Sequence, residues 1–309
     1  MIRRLLFPFS LIYLLITELR NFAFRRAFLK THKLPCRVIS VGNLCAGGTG
    51  KTPFVIALAE YLKPHFSHIT IISRGYGRSS KGARCVSVKG TIQTDVLSAG
   101  DEPYQLAKRL PFCSVVVAEK RIEGYNLIRT DSPDLVILDD GFQHQYIQRD
   151  LNICLMNGHE PYANDMLLPA GNLREAIWNL KRADLLIETK HNSKTTYTIP
   201  HFFIPYKPTS YSQAIDTQKS VVLISGIAKP QLFEESVSIP FKAHYSFNDH
   251  HTYQKQDFKD ISENDIILTT EKDYYKLLEL ALPNQIAYLK IDFLLSEELK
   301  MAISDTILT

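Results

Sequence analysis

The stretch that decides the fold spans residues 41–53 and reads Val41-Gly42-Asn43-Leu44-Cys45-Ala46-Gly47-Gly48-Thr49-Gly50-Lys51-Thr52-Pro53. Residues 37–41, before it, have the composition of a buried strand, and residues 54–62, after it, that of a helix. A glycine-rich loop between a strand and a helix allows backbone N–H groups and the helix N-terminus to surround a phosphate. In such a loop the lysine contacts the β- and γ-phosphates, and the threonine hydroxyl binds Mg²⁺. We therefore predict a nucleotide site formed by Cys45, Ala46, Gly47, Gly48, Thr49, Gly50, Lys51 and Thr52.

One position departs from the usual phosphate-loop pattern, which places glycine five residues before Gly50, where this chain has Cys45. The following residues instead match the Gly-Gly-x-Gly-Lys-Thr variant of the loop. Because backbone N–H groups do most of the phosphate binding, side-chain changes at positions 45 and 46 leave that function intact. The alternative is a glycine-rich turn without a ligand, and the flanking strand and helix favour the nucleotide site.

Strand-like and helix-like segments alternate after residue 37, which predicts an α/β fold with a mostly parallel sheet. We predict a phosphate-loop (P-loop) NTPase-like sheet flanked by helices, with a smaller C-terminal α/β domain. The predicted divisions are an N-terminal segment 1–36, a nucleotide-binding core 37–205 and the smaller domain 206–309. The predicted strands are 37–42, 68–73, 113–118, 134–139, 150–156, 184–188, 221–224, 266–268 and 286–291. The predicted helices are 53–63, 101–109, 120–130, 173–182, 229–237, 272–280 and 296–304, with a linker of some extended structure at 189–220.

The N-terminal segment carries the positive charge of the chain. Residues 1–37 contain eight Lys or Arg residues and one acid, Glu18, for a net charge of +7, while the whole chain has +4. The apolar run from Leu5 to Ile16 is shorter than the ~20 residues of a spanning helix, and no signal-peptide cleavage site follows it. These features are typical of a helix that lies in an anionic membrane surface. The alternative is a helix that packs on the protein's own core.

The composition of the whole chain is that of an ordinary globular protein, with 45% hydrophobic and 22% charged residues. The five cysteines form no Cys-x-x-Cys pair, which predicts reduced thiols in the cytoplasm and no zinc site.

Two adjacent aspartates, Asp139 and Asp140, follow the apolar strand that begins at Leu135. In phosphate-loop proteins an acid at a strand end holds Mg²⁺ or one of its water ligands. Adjacent side chains point in different directions, so we expect the two acids to have different roles. Together with Thr52 they form the predicted metal site.

Several other turns carry groups with both a catalytic and a structural interpretation. Arg74 follows a strand end, where it would either contact a phosphate or be solvated. Asp101 lies two residues before Pro103, so it would be either a helix N-cap or a general base. His250, next to His251, would either partner a carboxylate or belong to a polar surface turn.

Two more acids, Glu175 and Glu271, each open a predicted helix. We expect both to serve as capping groups.

Together these motifs resemble those of the tetraacyldisaccharide 4′-kinase family, the lipid A 4′-kinases of Gram-negative bacteria. The resemblance extends from the apolar N-terminal segment almost to the C-terminus, in family order. Asn172 departs from it, since the family pattern has proline there. The motifs are Gly42-Asn43 with Gly47-Gly48-Thr49-Gly50-Lys51-Thr52-Pro53, Ser73-Arg74-Gly75-Tyr76-Gly77, Gly100-Asp101-Glu102-Pro103, Leu138-Asp139-Asp140-Gly141-Phe142-Gln143-His144, Leu168-Pro169-Ala170-Gly171 with Leu173-Arg174-Glu175, Asp249-His250-His251 and Thr270-Glu271-Lys272-Asp273.

The resemblance implies transfer of the γ-phosphate of ATP, with Mg²⁺, to the 4′-hydroxyl of a tetraacylated glucosamine disaccharide 1-phosphate. It implies catalytic roles for Lys51, Arg74 and Arg174. It also implies a catalytic pair in which Asp101 is the base and His250 assists proton removal, with His251 as the fallback. The implied partners are this anionic glycolipid and the membrane surface, with no nucleic acid. The implied location is the cytoplasmic face of the bacterial inner membrane, peripheral or monotopic.

Two other classes of function stay open at this point. A Mg-ATPase switch of the partitioning or targeting type shares the Gly-Gly-x-Gly-Lys-Thr loop and would respond to a protein or DNA partner. A membrane-surface binding module that lacks catalysis would have the same N-terminal segment. A kinase differs from both because its ATP turnover depends on a lipid acceptor.

Overall fold

The computed structural model describes residues 5–159, 166–193, 197–206, 208–216 and 218–309. Within these residues the strands form one sheet of nine strands and one of five. The nine strands are β1 (Arg37–Asn43), β2 (Ile69–Ser73), β3 (Arg84–Val88), β4 (Thr91–Ile92), β5 (Ser114–Val117), β6 (Leu135–Asp139), β7 (Leu151–Asn157), β8 (Leu185–Thr189) and β9 (His201–Ile204).

The larger sheet has the order β4-β3-β5-β2-β6-β1-β7-β8-β9. In this order the seven strands that begin with β5 and end with β9 are parallel to one another. The remaining two, β3 and β4, form an antiparallel edge. The strand β1 lies between β6 and β7, and it is buried almost throughout. Because parallel strands end at the same edge of a sheet, the glycine-rich loop after β1 and the acids at the end of β6 come together. The predicted α/β class with a mostly parallel sheet is confirmed.

Helices cover both faces of this sheet and enclose separate apolar clusters. The helices are α1 (Phe7–Arg25), α2 (Lys51–Leu62), α3 (Val96–Ala99), α4 (Asp101–Arg109), α5 (Arg121–Ile128), α6 (Pro230–Ser236), α7 (Glu271–Glu279) and α8 (Glu297–Ile307), with 3₁₀ helices at Arg129–Asp131, Ile177–Arg182 and Lys255–Phe258.

The helix predicted at 173–182 is wrong over its first half. Leu173 forms a β-bridge with Cys45, and the Arg174 backbone N–H donates to the Leu44 carbonyl at 2.7 Å. These backbone groups pair with the glycine-rich loop, so they are not available for a helix. Only the 3₁₀ helix Ile177–Arg182 forms within the predicted range.

The smaller sheet has the order β10-β14-β13-β11-β12, with β10 antiparallel and the rest parallel. Its apolar clusters are distinct from those of the larger sheet. The strands are β10 (Pro208–Tyr211), β11 (Val221–Ser225), β12 (Ala243–Ser246), β13 (Ile266–Thr270) and β14 (Ile286–Ile291).

The C-terminal helix α8 returns to the larger sheet. Leu299 and Ile303 belong to the same buried cluster as α2. The Tyr61 hydroxyl of α2 lies 3.2 Å from the Lys300 carbonyl and 2.5 Å from the Ser304 hydroxyl. The predicted domain boundary near residue 205 stays a prediction. The structure adds that the chain returns to the larger sheet after it has formed the smaller one.

The helix α1 is attached to the protein by its polar face. Its buried residues are Ser10, Thr17 and Asn21. The Ser10 hydroxyl donates to the Leu167 carbonyl at 2.9 Å, and the Tyr13 hydroxyl donates to the Arg174 carbonyl at 3.0 Å. The alternative that its apolar face packs on the protein's own core is therefore wrong.

The apolar face of α1 is exposed along its length, since Leu11, Ile12, Leu15, Ile16 and Leu19 are each more than half exposed. Over the part of the chain that the structure describes, no helix combines the length and apolarity that crossing a bilayer requires.

Candidate active site

The glycine-rich loop is held in place from three sides. On one side its backbone pairs with residues 172–174, where the Ala46 N–H donates to the Asn172 carbonyl at 2.7 Å. On the other sides the Asn43 amide donates to the Thr49 hydroxyl at 3.0 Å, and the Thr189 hydroxyl donates to the Thr49 carbonyl at 3.0 Å. The loop is thus fixed by residues 172–174 and by the ends of β1 and β8.

The loop ends at Gly50, which precedes α2 with a φ of +80°. This left-handed conformation suits glycine, and a Cβ here would lie 2.8 Å from the Phe293 ring. Lys51 and Thr52 then begin α2, where free backbone N–H groups and the helix dipole favour an anion. The geometry therefore fits the phosphate-binding role predicted for this stretch.

The Asp140 carboxylate joins the loop to the neighbouring elements. Its Oδ1 lies 3.5 Å from the Lys51 ammonium, and the Arg174 Nη1 donates to both of its oxygens at 2.8 Å. Burial raises the pKa of Asp140, but the charges of Lys51 and Arg174 outweigh it and bring the pKa down to about 2. Asp140 is thus a permanent anion that holds two cations beside the loop.

The neighbouring Asp139 is almost fully buried and has different partners. Its Oδ2 accepts a hydrogen bond from the Ser73 hydroxyl at 2.7 Å, and its buried Oδ1 has no hydrogen-bond partner among the described residues. Burial, followed by the charges of Glu102 and Asp140, raises the pKa of Asp139 to about 6. A buried oxygen with this surplus of negative charge is suited to a cation.

A second cluster of charges connects the two sheets. The Asp101 Oδ2 lies 3.1 Å from the His250 Nδ1, 3.3 Å from the Lys276 ammonium and 3.9 Å from that of Lys272. Burial raises the pKa of Asp101, yet the His250 hydrogen bond and the two lysine charges bring it below its usual value. Asp101 is therefore an ionised carboxylate, available to accept a hydrogen bond from a hydroxyl.

The contact made by the second ring nitrogen of His250, Nε2, shows which of its two nitrogens carries the hydrogen. The His250 Nε2 lies 3.2 Å from the Lys272 ammonium, which can only donate. Nε2 is therefore the acceptor, and Nδ1 carries the hydrogen that is donated to Asp101. In this arrangement the hydrogen bond from His250 stabilises the Asp101 carboxylate.

The glycine turn after β2 contacts the same histidine. The Tyr76 and His250 rings meet edge to face, with centroids 5.4 Å apart, and a Cβ at Gly77 would lie 3.4 Å from the His250 Nδ1. Arg74 is exposed at the end of β2. Burial lowers the pKa of Arg121 to about 10, and the charge of Arg74 contributes to that lowering. Arg74 thus lies close to the buried Arg121, which in turn donates to the Asp139 carbonyl at 3.2 Å.

Three structural interpretations from the sequence are wrong. Gly100 is the N-cap residue of α4, and Asp101 is the first helical residue, with its side chain turned to His250. Thr270, not Glu271, caps α7. Glu175 is fully buried and binds Arg20 at 3.1 Å and Arg182 at 2.7 Å, so it fixes charges and caps no helix.

The two adjacent histidines have different partners. The His251 Nε2 lies 3.1 Å from the Asp257 carboxylate, and its ring stacks on Phe247 with centroids 4.6 Å apart. The half-buried His251 is therefore engaged by Asp257 and Phe247, and His250 is the residue that reaches Asp101.

Sequence reasoning missed four charged residues around the site: Glu102, Arg109, Lys272 and Lys276. The two lysines are four residues apart on α7, so they lie on the same face of this helix and both reach Asp101. That spacing was readable in the sequence. Their target was not, because Asp101 lies about 170 residues away along the chain.

Arg109 forms a second bridge between the sheets, at the other end of α4. Its Nη1 donates to both Glu271 oxygens at 3.0 and 2.8 Å, and its Nη2 donates to the Asp292 Oδ1 at 2.5 Å. The Arg109 and Glu271 side chains are at least nine-tenths buried. Because Glu271 begins α7, this bridge sets the position of the helix that carries Lys272 and Lys276.

Comparison with known proteins gives a consistent result. The model of the family described as LpxK, tetraacyldisaccharide-1-P 4′-kinase, matches residues 2–308. A tetraacyldisaccharide 4′-kinase of Aquifex aeolicus is 41% identical over 292 residues, which cover 90% of each chain. One from Haemophilus influenzae is 36% identical, covering 91% of this chain and 85% of the relative. The crystal structure of Aquifex aeolicus LpxK in complex with ATP superposes with a TM-score of 0.87 at 37% identity, covering 99% of this chain and all of the other.

We predict that the ion pairs of Arg109 affect kcat indirectly, because they position the helix whose lysines contact Asp101. Arg109→Ala should lower kcat roughly 5- to 30-fold, the effect of losing about 1–2 kcal/mol of coupling. In an Asp101→Ala background the same substitution should have little further effect, because the pair it positions is already absent. Steady-state kinetics of the four proteins measures this.

Lys242→Ala is the matched control, since Lys242 pairs with Asp265 at 3.4 Å inside the second domain. It should leave kcat unchanged. Equal fold losses from Arg109→Ala in both backgrounds would show that Arg109 supports the fold without acting through Asp101.

Proposed function

Because this chain belongs to the tetraacyldisaccharide-1-P 4′-kinase family, we propose that it transfers the γ-phosphate of ATP to the 4′-hydroxyl of a tetraacyldisaccharide 1-phosphate, at the site between its two sheets. The observation that carries the proposal is the contact of 3.1 Å between Asp101, at the start of α4, and His250, which follows β12 of the smaller sheet. The chain is a lipid kinase, and the ATPase-switch alternative has no support from its relatives.

The glycine-rich loop with Lys51 is the ATP site of this proposal. The Aquifex aeolicus relative that shares its fold is described in complex with ATP. Lys51 and Arg174, held by Asp140, supply positive charge where the β- and γ-phosphates would lie. Such positioned charge stabilises the spread negative charge of a phosphoryl-transfer transition state.

The residues beside the loop fit a magnesium ion. Mg²⁺ is held by one or two carboxylates together with phosphate oxygens and water, and the unpartnered, buried Oδ1 of Asp139 is such a ligand. Thr52 and Asp139 would hold the ion, with the Glu102 charge nearby, while Asp140 is engaged by Lys51 and Arg174. When bound, the ion would neutralise charge on the transferred phosphate.

The acceptor hydroxyl is activated by orientation more than by strong base catalysis. A carboxylate with a lowered pKa, such as Asp101, is a weak base but accepts a hydrogen bond from a hydroxyl at every physiological pH. In a loose phosphoryl-transfer transition state, little proton transfer is needed before the phosphorus–oxygen bond forms. His250 keeps Asp101 ionised and oriented for that contact.

The exposed apolar face of α1 is proposed to lie in the cytoplasmic surface of the inner membrane, where an acylated acceptor resides. Its polar face binds the rest of the protein through hydrogen bonds of residues such as Ser10 and Asn21. An apolar stripe next to Arg25 and Arg26 fits an anionic bilayer surface. This also places the helix next to the active site, because its Tyr13 binds the backbone of Arg174.

The direct test is incubation with γ-labelled ATP and a tetraacyldisaccharide 1-phosphate, followed by lipid extraction. Label should enter the lipid, and ATP hydrolysis without the lipid should be slow. Rapid ATP hydrolysis that is indifferent to lipid, with no labelled lipid, would contradict the kinase activity.

Substitution of the two strand-end acids should separate their roles. Asp139→Asn should raise the Mg²⁺ concentration needed for half-maximal activity by about 10- to 100-fold, because a proposed metal ligand is weakened. Asp140→Asn should instead raise the KM for ATP, since Lys51 and Arg174 lose their anchor. Magnesium titrations at saturating ATP measure the first effect, and identical Mg²⁺ curves for wild type and Asp139→Asn would remove Asp139 from the metal site.

Loss of the carboxylate at Asp101 should lower kcat about 10²- to 10⁴-fold with little change in the KM for ATP. His250→Ala should lower kcat less, because the carboxylate remains. If the two residues act as a unit, the double variant should be little worse than Asp101→Ala alone. A folded Asp101→Ala protein with wild-type kcat would limit Asp101 to a structural role.

Membrane binding should depend on the exposed apolar face of α1. The triple variant Leu11→Ser, Leu15→Ser and Leu19→Ser changes only exposed positions, so the fold should survive while vesicle binding falls. The KM for lipid should rise more than the KM for ATP. Co-sedimentation with anionic vesicles measures the binding, and undiminished pelleting of the variant would rule out α1 as the main anchor.

A further inference from the structure

A short 3₁₀ helix, Ile177–Arg182, is fastened to the side of α1. The amide of the fully buried Asn179 donates to the Glu18 carboxylate at 2.6 Å. The Arg182 guanidinium donates to the Asn21 side chain at 3.1 Å and to Glu175 at 2.7 Å. The segment is therefore fixed rigidly relative to the proposed membrane-facing helix.

The position of Glu18 tells which side of α1 this segment occupies. Successive residues of a helix are 100° apart, so Glu18 lies between the buried side at Thr17 and Asn21 and the exposed side at Leu15 and Phe22. Glu18 is itself half-buried. The segment 177–182 thus lies along the border where the exposed apolar face of α1 begins.

Two residues of the segment point outward at this border. Trp178 is 56% exposed, and Lys181 is exposed as well. With Ile177, Leu180 and residues 197–199 they line a surface hollow of about 180 Å³ whose lining is partly apolar and partly polar. A hollow of this size is smaller than the roughly 300–1,000 Å³ of a small-molecule site, so it is not a pocket for a whole lipid.

We propose that Trp178 and Lys181 form a second contact with an anionic lipid bilayer, beside α1. The proposal rests on the membrane association proposed above and extends it to a part of the chain some 160 residues away. An indole favours the boundary between headgroups and acyl chains, because its ring is apolar and its N–H is polar. A lysine next to it can lay its aliphatic stem on the apolar surface and place its charge on an anionic headgroup.

The charge around this border favours a bilayer over a second copy of the chain. Residues 1–37 have a net charge of +7, and Lys181 adds to it. Two copies facing each other through this surface would bring like charges together, whereas anionic headgroups neutralise them.

Tryptophan fluorescence reports on this contact directly, because Trp178 is the only tryptophan of the protein. Vesicles of phosphatidylcholine and phosphatidylglycerol, with and without brominated acyl chains, are added to the full-length protein. The Trp178 emission should shift to the blue on binding and should be quenched by the brominated lipid. Co-sedimentation of the same samples reports how much protein is bound.

The outcomes separate this contact from the α1 anchor. Full binding without a blue shift or quenching leaves α1 as the anchor and overturns the Trp178 contact. Failure to bind at all overturns both. A blue shift that grows with protein concentration in the absence of lipid identifies a second copy as the occupant and overturns the bilayer assignment.

Variants give an independent measure. Trp178→Ala should weaken vesicle partitioning about tenfold, which corresponds to about 1.4 kcal/mol, and Lys181→Ala should weaken it only at low salt. Leu278→Ala is the matched control, since Leu278 is 48% exposed on α7 in the second domain. Equal partitioning of Trp178→Ala and the control would overturn the proposal.

Discussion

The ion cluster centred on Asp140 is the interaction on which the rest of the site depends. Partial burial of a carboxylate is costly unless cations compensate it, and for the half-buried Asp140 the cations are Lys51 and Arg174. Each cation comes from a different element, one from the start of α2 and the other from the segment that pairs with the glycine-rich loop. Removing the carboxylate would leave two cations unpaired next to each other. The cluster therefore fixes the loop, the end of β6 and the segment after residue 172 in one arrangement.

The same segment connects the nucleotide site to the proposed membrane surface. The Arg174 side chain binds Asp140, while its backbone carbonyl accepts the Tyr13 hydroxyl of α1. The next residue, Glu175, is buried among Arg20 and Arg182. Arg174 and Glu175 thus attach α1 to the edge of the larger sheet at which the glycine-rich loop lies. An enzyme whose acceptor stays in a bilayer needs its phosphate donor held at a fixed distance from that bilayer.

The smaller sheet contributes to the site through charged side chains. Its α7 brings Lys272 and Lys276 to Asp101, and Glu271 at the start of the same helix receives Arg109. Both bridges end on α4, so α4 and α7 form one of the contacts between the regions of the two sheets. Because α8 packs against α2, the second domain is tied to the first at both of its chain ends. Through these contacts the region of the smaller sheet holds Asp101 ionised and oriented.

The sequence alone determined the parts of this protein that depend on local chemistry. The glycine-rich loop, the strand ending in two acids and the alternating elements were all predicted, because turn chemistry and apolar periodicity act within about a dozen residues. Which face of α1 is buried, whether Asp101 is a cap and which histidine reaches it were decided only by the tertiary structure. Each depends on a partner more than a hundred residues away, such as Glu175 for Asn21 and His250 for Asp101. Contacts at that separation form when the sheets pack, and no local pattern encodes them.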